Sequence, residues 1–215
     1  MAKMNDRQRT ILQAILLLGP TGAGKTPLGD WLEKNGLWGK PCHHFDFGAN
    51  LRAVAAAGPS DSFARDEIQF LNRVLTQGAL LEDESFYLAA KILNAFVVRR
   101  NVQRGDWLIL NGLPRHAGQG QALEQSVRVC ALIQLECESR VARERLRRDA
   151  GGDRAARSDD QDELVAHKLA IYEERTRPLV AHYRQRGARL IAVPVDVDTQ
   201  PGEIAQQLGT TNLVG

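Results

Sequence analysis

The sequence predicts an α/β fold, a doubly wound parallel sheet of five strands flanked by helices. Two observations carry this expectation. Five short apolar runs, at residues 11–18, 41–46, 107–111, 129–135 and 188–193, are separated by longer stretches with helical spacing. Strands covered by helices on both faces read as near-continuous hydrophobic runs rather than alternating ones. Regular alternation of strand and helix then calls for crossover connections, which build a parallel sheet.

Taken in order, the first run leads directly into the octet GPTGAGKT at residues 19–26 and a helical stretch at 25–34. Further helical patterns fall at 48–57, 63–76, 84–104, 121–128, 139–148 and 160–186. The last is the clearest, because Val165, Leu169, Tyr172, Thr176, Leu179 and Tyr183 recur at the three-to-four spacing of one buried helix face. The chain has 215 residues and no internal repeat or long linker, so a single domain over 1–215 is expected. Residues 149–160, DAGGDRAARSDD, carry almost no apolar content and are expected to form a mobile loop.

Composition excludes several classes of function. A net charge of only +2 gives no overall field for nucleic acid or membrane. The arginines are nevertheless crowded, with Arg140, Arg143, Arg145, Arg147, Arg148, Arg154 and Arg157 in one short segment. A solvated helix face and a phosphate-binding cluster are both open for them. A nucleic-acid patch is disfavoured, since no aromatic residue for base stacking lies between Arg140 and Arg157. The apolar run at 11–18 is too short to span a membrane. Cys42, Cys130 and Cys137 have no finger or CxxC spacing and fit a reducing compartment, with Cys130 expected as a small buried hydrophobe. His43 and His44 lack metal-ligand companions at useful spacing and read as structural or surface residues. A cytoplasmic monomer without nucleic-acid or membrane partners is the expectation.

The octet carries the chemistry. Gly19, Pro20, Thr21, Gly22, Ala23, Gly24, Lys25 and Thr26 match G-x-x-x-x-G-K-[ST] in full. Glycines let the backbone curl so that successive N–H groups point at phosphate oxygens. The helix that follows adds its positive end. In this pattern Lys25 reaches the β and γ phosphates of ATP, and Thr26 offers a hydroxyl to Mg²⁺. Pro27 is compatible, since proline is tolerated in a helix's first turn. The fold expected is therefore of P-loop NTPase type.

Five further stretches narrow the reading. The segment 107–115, WLILNGLPR, followed by Gln119, resembles the "LLDGFPR…Q" signature of adenylate kinase and related nucleoside monophosphate kinases. HFDFGANLR at 44–52 resembles that family's "HISTGDLLR", and GALLEDE at 78–84 its "GxLVPDE". RSDD at 157–160 resembles the "RxDD" that ends a short lid, and KLAIYEERTRPL at 168–179 resembles "RLxxYxxxTxPL". The resemblance spans about residues 15–208. It implies an acceptor-binding segment at about 47–82, a short lid at about 149–160, and phosphoryl transfer from Mg²⁺-ATP to a nucleoside monophosphate, AMP first among them. It further implies that Lys25, Arg115 and Arg157 act on the transferred phosphate, with Arg147 (or else Arg148) contacting ATP. Phe47, Arg52, Leu81, Gly112, Arg115, Gln119, Arg157 and Lys168 would form the acceptor site, and Asn111 would hold Mg²⁺ through a water.

The sequence also departs from that pattern. Asn111 stands where the family has an aspartate, so metal binding is expected to be weaker and Asn111→Asp to raise turnover, unless another acid such as Asp46 compensates. Phe47 and Ala49 replace the Thr and Asp of "STGD" beside the acceptor base, and Lys168 replaces a bidentate arginine. Two other readings therefore stand beside the first: a P-loop kinase for another small acceptor, and a nucleotide-binding regulatory module with little turnover.

Overall fold

The computed structural model describes residues 11–79, 81–152 and 162–211. Five strands, β1 (Leu12–Leu18), β2 (Cys42–Asp46), β3 (Trp107–Asn111), β4 (Val127–Glu136) and β5 (Arg189–Pro194), form one all-parallel sheet in the order β2-β3-β1-β4-β5. All five lie where apolar runs placed them, and the expected α/β architecture is the one observed. β1 is the central strand, buried from Ala14 to Leu18. Ala14, Leu16 and Leu18 face one helical layer, and Ile15 and Leu17 the other.

One layer holds α1 (Lys25–Asn35) and α9 (Pro201–Gly209), which bury Leu28, Leu32, Ile204 and Leu208. The other holds α2 (Phe47–Ala57), α3 (Arg65–Gln77), α4 (Phe86–Arg99), α5 (Ala117–Leu123) and α8 (Leu179–Gln185). α6 (Ser139–Arg147) and α7 (Asp162–Ile171) follow β4. Among the described residues, no helix is long and apolar enough to cross a membrane.

Four local expectations are corrected. The helix expected at 121–128 is instead α5, and residues 127–128 already belong to β4. The expected helix left out 117–120, where Gly118 and Gly120 stand. A methyl at Gly118 would meet the exposed Asp83 carboxylate, and one at Gly120 would lie 3.1 Å from His182 Nε2. The helix expected at 84–104 stops at Arg99, where Asn101 takes φ 50° and the Val102 N–H donates to the Val97 carbonyl at 3.1 Å, a left-handed cap.

The long helix expected over 160–186 is divided. Pro178 has no N–H, so the chain widens over Tyr172–Thr176, with Arg177 N–H donating five residues back to Tyr172 O at 2.8 Å, and then restarts as α8. Its buried stripe is retained at Val165, Leu169, Tyr172, Leu179 and Tyr183. Finally, Cys130 is only half-buried, and it is Cys42 that is buried, its thiol pushed up to about 12 by desolvation. The helix α9 carried no expectation.

Residues 153–161, with Arg154, Arg157 and most of the expected lid, lie outside the described residues.

Candidate active site

The carboxyl ends of β1, β2 and β3 open into one cleft, the position where open α/β sheets place their ligands. Gly19–Thr26 wraps around the end of β1 and enters α1. Gly22 has φ 85°, and a methyl there would meet the Ala142 carbonyl oxygen of α6 at 2.5 Å. The loop therefore keeps its curl only with glycine. Gly22→Ala is expected to weaken ATP binding at least about tenfold, the cost of one strained residue. Titration of ATP would show it, and unchanged affinity would mean that the loop's curl is not what holds the nucleotide.

Lys25 Nζ lies across the loop, donating to the carbonyls of Gly19 and Pro20 at 2.7 Å each. Thr21, Gly22, Gly24, Lys25 and Thr26 line the cleft, whereas Ala23 is fully buried beneath it.

The cleft gathers most of the residues singled out from the sequence. Phe47, Arg52, Leu81, Asn111, Gly112, Arg115, Gln119 and Lys168 all line it. At one end lies the glycine loop, and at the other an apolar wall of Phe47, Leu51, Val74, Leu75 and Leu81. Arg115 is fixed at its backbone on both sides: its N–H donates to Gln119 Oε1, and its carbonyl accepts from Thr176 Oγ1, both at 2.8 Å. Gln119 is buried, and its Nε2 donates to the Leu81 carbonyl at 2.7 Å. Both ends of this amide therefore already serve the protein's own backbone.

Arg147 is not brought to the cleft. Its side chain is 76 % exposed and paired with Glu144, whose carboxyl is held below its usual range by Arg147 and Arg148. The arginine that faces the loop is Arg145. It is buried, with Nε donating to the Gly22 carbonyl at 3.1 Å and Nη1 to the carbonyls of Asp196 and Val197 at 2.7 and 2.8 Å. Its spacing could have revealed it, since Val141, Ala142 and Arg145 share the inward face of α6.

The floor of the cleft is a chain of polar contacts. Thr26 Oγ1 donates to Asp46 Oδ2 at 2.9 Å, and Asn111 Nδ2 donates to Thr26 Oγ1 at 3.0 Å. Asn111 Nδ2 is also 3.3 Å from His44 Nε2, and His44 Nδ1 is 2.8 Å from Asp30 Oδ1. Asp30 accepts the Nδ1 proton, so in the neutral ring Nε2 is an acceptor and the amide must turn its NH₂ inward. The buried His44 is thus structural, one of the two roles expected for it. Hydroxyl and carboxylate oxygens are hard donors of the kind Mg²⁺ takes. Among the described residues, no three His, Cys, Asp or Glu side chains form a metal cage. The donor set suits an ion that shares its shell with phosphate and water.

A parallel sheet with G-x-x-x-x-G-K-[ST] wrapped around the end of its central strand defines the P-loop class of α/β folds. No protein-family model matches the chain. Curated relatives do. It is 33 % identical over 181 residues to an adenylate kinase of Synechococcus sp. (strain CC9311), covering 81 % of this chain and 86 % of that one. It is 31 % identical over 200 residues to the adenylate kinase of Parasynechococcus marenigrum (strain WH8102), covering 90 % and 95 %, and 31 % identical over 183 residues to that of Xanthomonas euvesicatoria pv. vesicatoria (strain 85-10), covering 80 % and 86 %. The chain belongs to the adenylate kinase family.

Proposed function

We propose that this protein transfers the terminal phosphoryl group of Mg²⁺-ATP to a nucleoside monophosphate, with AMP the leading acceptor: ATP + AMP ⇌ 2 ADP. The observation that carries this reading is the convergence of Lys25, Arg52, Arg115, Arg145 and Lys168 on one cleft between a glycine loop and an apolar wall. Two polyanions approach each other only where fixed cations offset their repulsion, and most of the catalysis of phosphoryl transfer is such positioning and charge stabilisation. Lys25 and the loop N–H groups take the ATP phosphates, and Arg145 lies beside them. Arg115, Arg52 and Lys168 take the acceptor phosphate, while Phe47, Leu81 and Gly112 bound the acceptor moiety. Arg157, outside the described residues, would complete the set. Mg²⁺ would be held by Thr26 and, through water, by Asn111, and would supply charge neutralisation for the ATP phosphates.

A second reading is favoured by one contact pattern. Gln119 is engaged at both ends, and Phe47 offers no hydrogen bond, so the apolar end reads base shape more than base edges. That favours an acceptor other than AMP. A coupled ADP-formation assay with ATP against a panel of monophosphates tests both. The highest kcat/KM with AMP supports the first reading, and a higher value with another monophosphate the second. ATP binding with no ADP formed from any acceptor would leave only a regulatory module.

A further inference from the structure

We propose that Asp46 is the metal-positioning carboxylate of this site, supplying from β2 the negative charge that Asn111 cannot supply from β3. The inference rests on the reading of the cleft as an Mg²⁺-ATP site and deepens it.

The argument begins with register. In the parallel pair β2–β3, Asp46 is the register partner of Asn111. In-register residues on neighbouring strands project to the same face, so a carboxylate at 46 occupies nearly the place a carboxylate at 111 would. The contacts bear this out: Asp46 Oδ2 accepts from Thr26 Oγ1 at 2.9 Å and is 3.3 Å from Asn111 Nδ2. Charge gives the second argument. Five cations line the cleft, and among its described lining residues Asp46 is the single acid.

Asp46 also caps α2, with Oδ1 accepting from Ala49 N–H at 2.9 Å. Capping alone explains one oxygen but not the other, which faces the phosphate loop. The two roles cooperate, because the cap holds the carboxylate still while Oδ2 is directed to the hydroxyl expected on the metal. Asn111 then has a second part beside its proposed water contact. With its NH₂ turned inward by His44, it donates to Thr26 Oγ1 and orients that hydroxyl's lone pairs.

This geometry reverses the expectation that Asn111→Asp raises turnover. A carboxylate at 111 would sit beside that of Asp46 and duplicate a charge the floor of the cleft already carries. The single variant should gain nothing.

The test is ATP affinity in the full chain, measured once with Mg²⁺ and once with EDTA, without any acceptor. Asp46→Asn is suitable because asparagine caps helices as well as aspartate does while removing only the charge. Asp46→Ser retains a cap by different chemistry and is the control if the first variant melts early. Wild type is expected to bind ATP more tightly with Mg²⁺, and Asp46→Asn to shrink that ratio by about tenfold, the size of one charge-assisted contact. The affinity in EDTA should be unchanged or improved. Asp46→Asn/Asn111→Asp, which moves the carboxylate to the neighbouring strand, should restore most of the ratio. A wild-type ratio in both Asp46 variants would overturn the inference, as would a double variant no better than Asp46→Asn. Those outcomes leave the proposed function standing. A wild-type chain that does not bind ATP at all would overturn both.

Discussion

Lys25→Met is expected to lower kcat by about 10²–10³-fold, the usual consequence of removing one preorganised charge from a transition state. Methionine keeps the length and helix propensity of the side chain at the first residue of α1 and removes only the ammonium. In the structure Nζ is held over the loop by the carbonyls of Gly19 and Pro20, so it sits at the loop before any nucleotide arrives. In a loose transition state negative charge builds on the leaving β-phosphate oxygen, where the ammonium acts, so the loss should appear in kcat more than in the KM for ATP. Stability also changes. A charged donor to backbone contributes about 1.5–3 kcal/mol, and in a chain of this size that lowers Tm by several degrees. Stopped assays at saturating ATP, with thermal melts of both proteins, check the two parts separately. A variant retaining more than about a tenth of wild-type kcat would show that Lys25 is not the loop's catalytic cation.

The sheet was legible because a parallel strand buried on both faces has no choice but to be apolar, and its ends are marked by the residues that must leave the core. Asn111 ends β3 and Asp46 ends β2 for that reason. The phosphate loop was legible because its backbone curl needs glycine at fixed positions. Other features depend on contacts that no local pattern records. α5 is hidden by Gly118 and Gly120, which are poor helix formers and whose close neighbours, Asp83 and His182, lie far away in sequence. α9 offers only Ile204, Ala205 and Leu208 as a short apolar face, and its docking on α1 is completed by Trp38 Nε1 donating to the Leu208 carbonyl at 2.9 Å.

In the site, the arginine segment was recognised as a unit, but helix phase decides which arginine turns inward. Arg145 follows Val141 and Ala142 onto the buried face, and Arg147 falls on the opposite side with Glu144. The pairing of Asp46 with Asn111 depends on strand register, which periodicity does not contain. The sequence offers Asp46 as an acid that could compensate for Asn111, but only the register puts it a hydrogen bond away from the same threonine.

Arg115→Ala is expected to weaken the acceptor monophosphate by about 10–150-fold, the range for a lost charge-assisted contact, while leaving ATP affinity within about threefold. The selectivity of the effect follows from how the residue is held. Its N–H is bound by Gln119 and its carbonyl by the Thr176 hydroxyl, and both contacts use backbone atoms that alanine retains. Truncation therefore leaves the turn after β3 in place and removes only the guanidinium from the cleft. The phosphate loop lies at the end of β1 and Arg115 beyond the end of β3, so the two nucleotides should respond differently to its loss. Arg115→Lys keeps the charge but not the planar fork, and it should recover part of the loss if the contact is bidentate. Separate titrations of each nucleotide into wild type and both variants decide the matter. Equal weakening of ATP and acceptor in Arg115→Ala would place this arginine between the two phosphates rather than on the acceptor, and no weakening of either would remove it from the site.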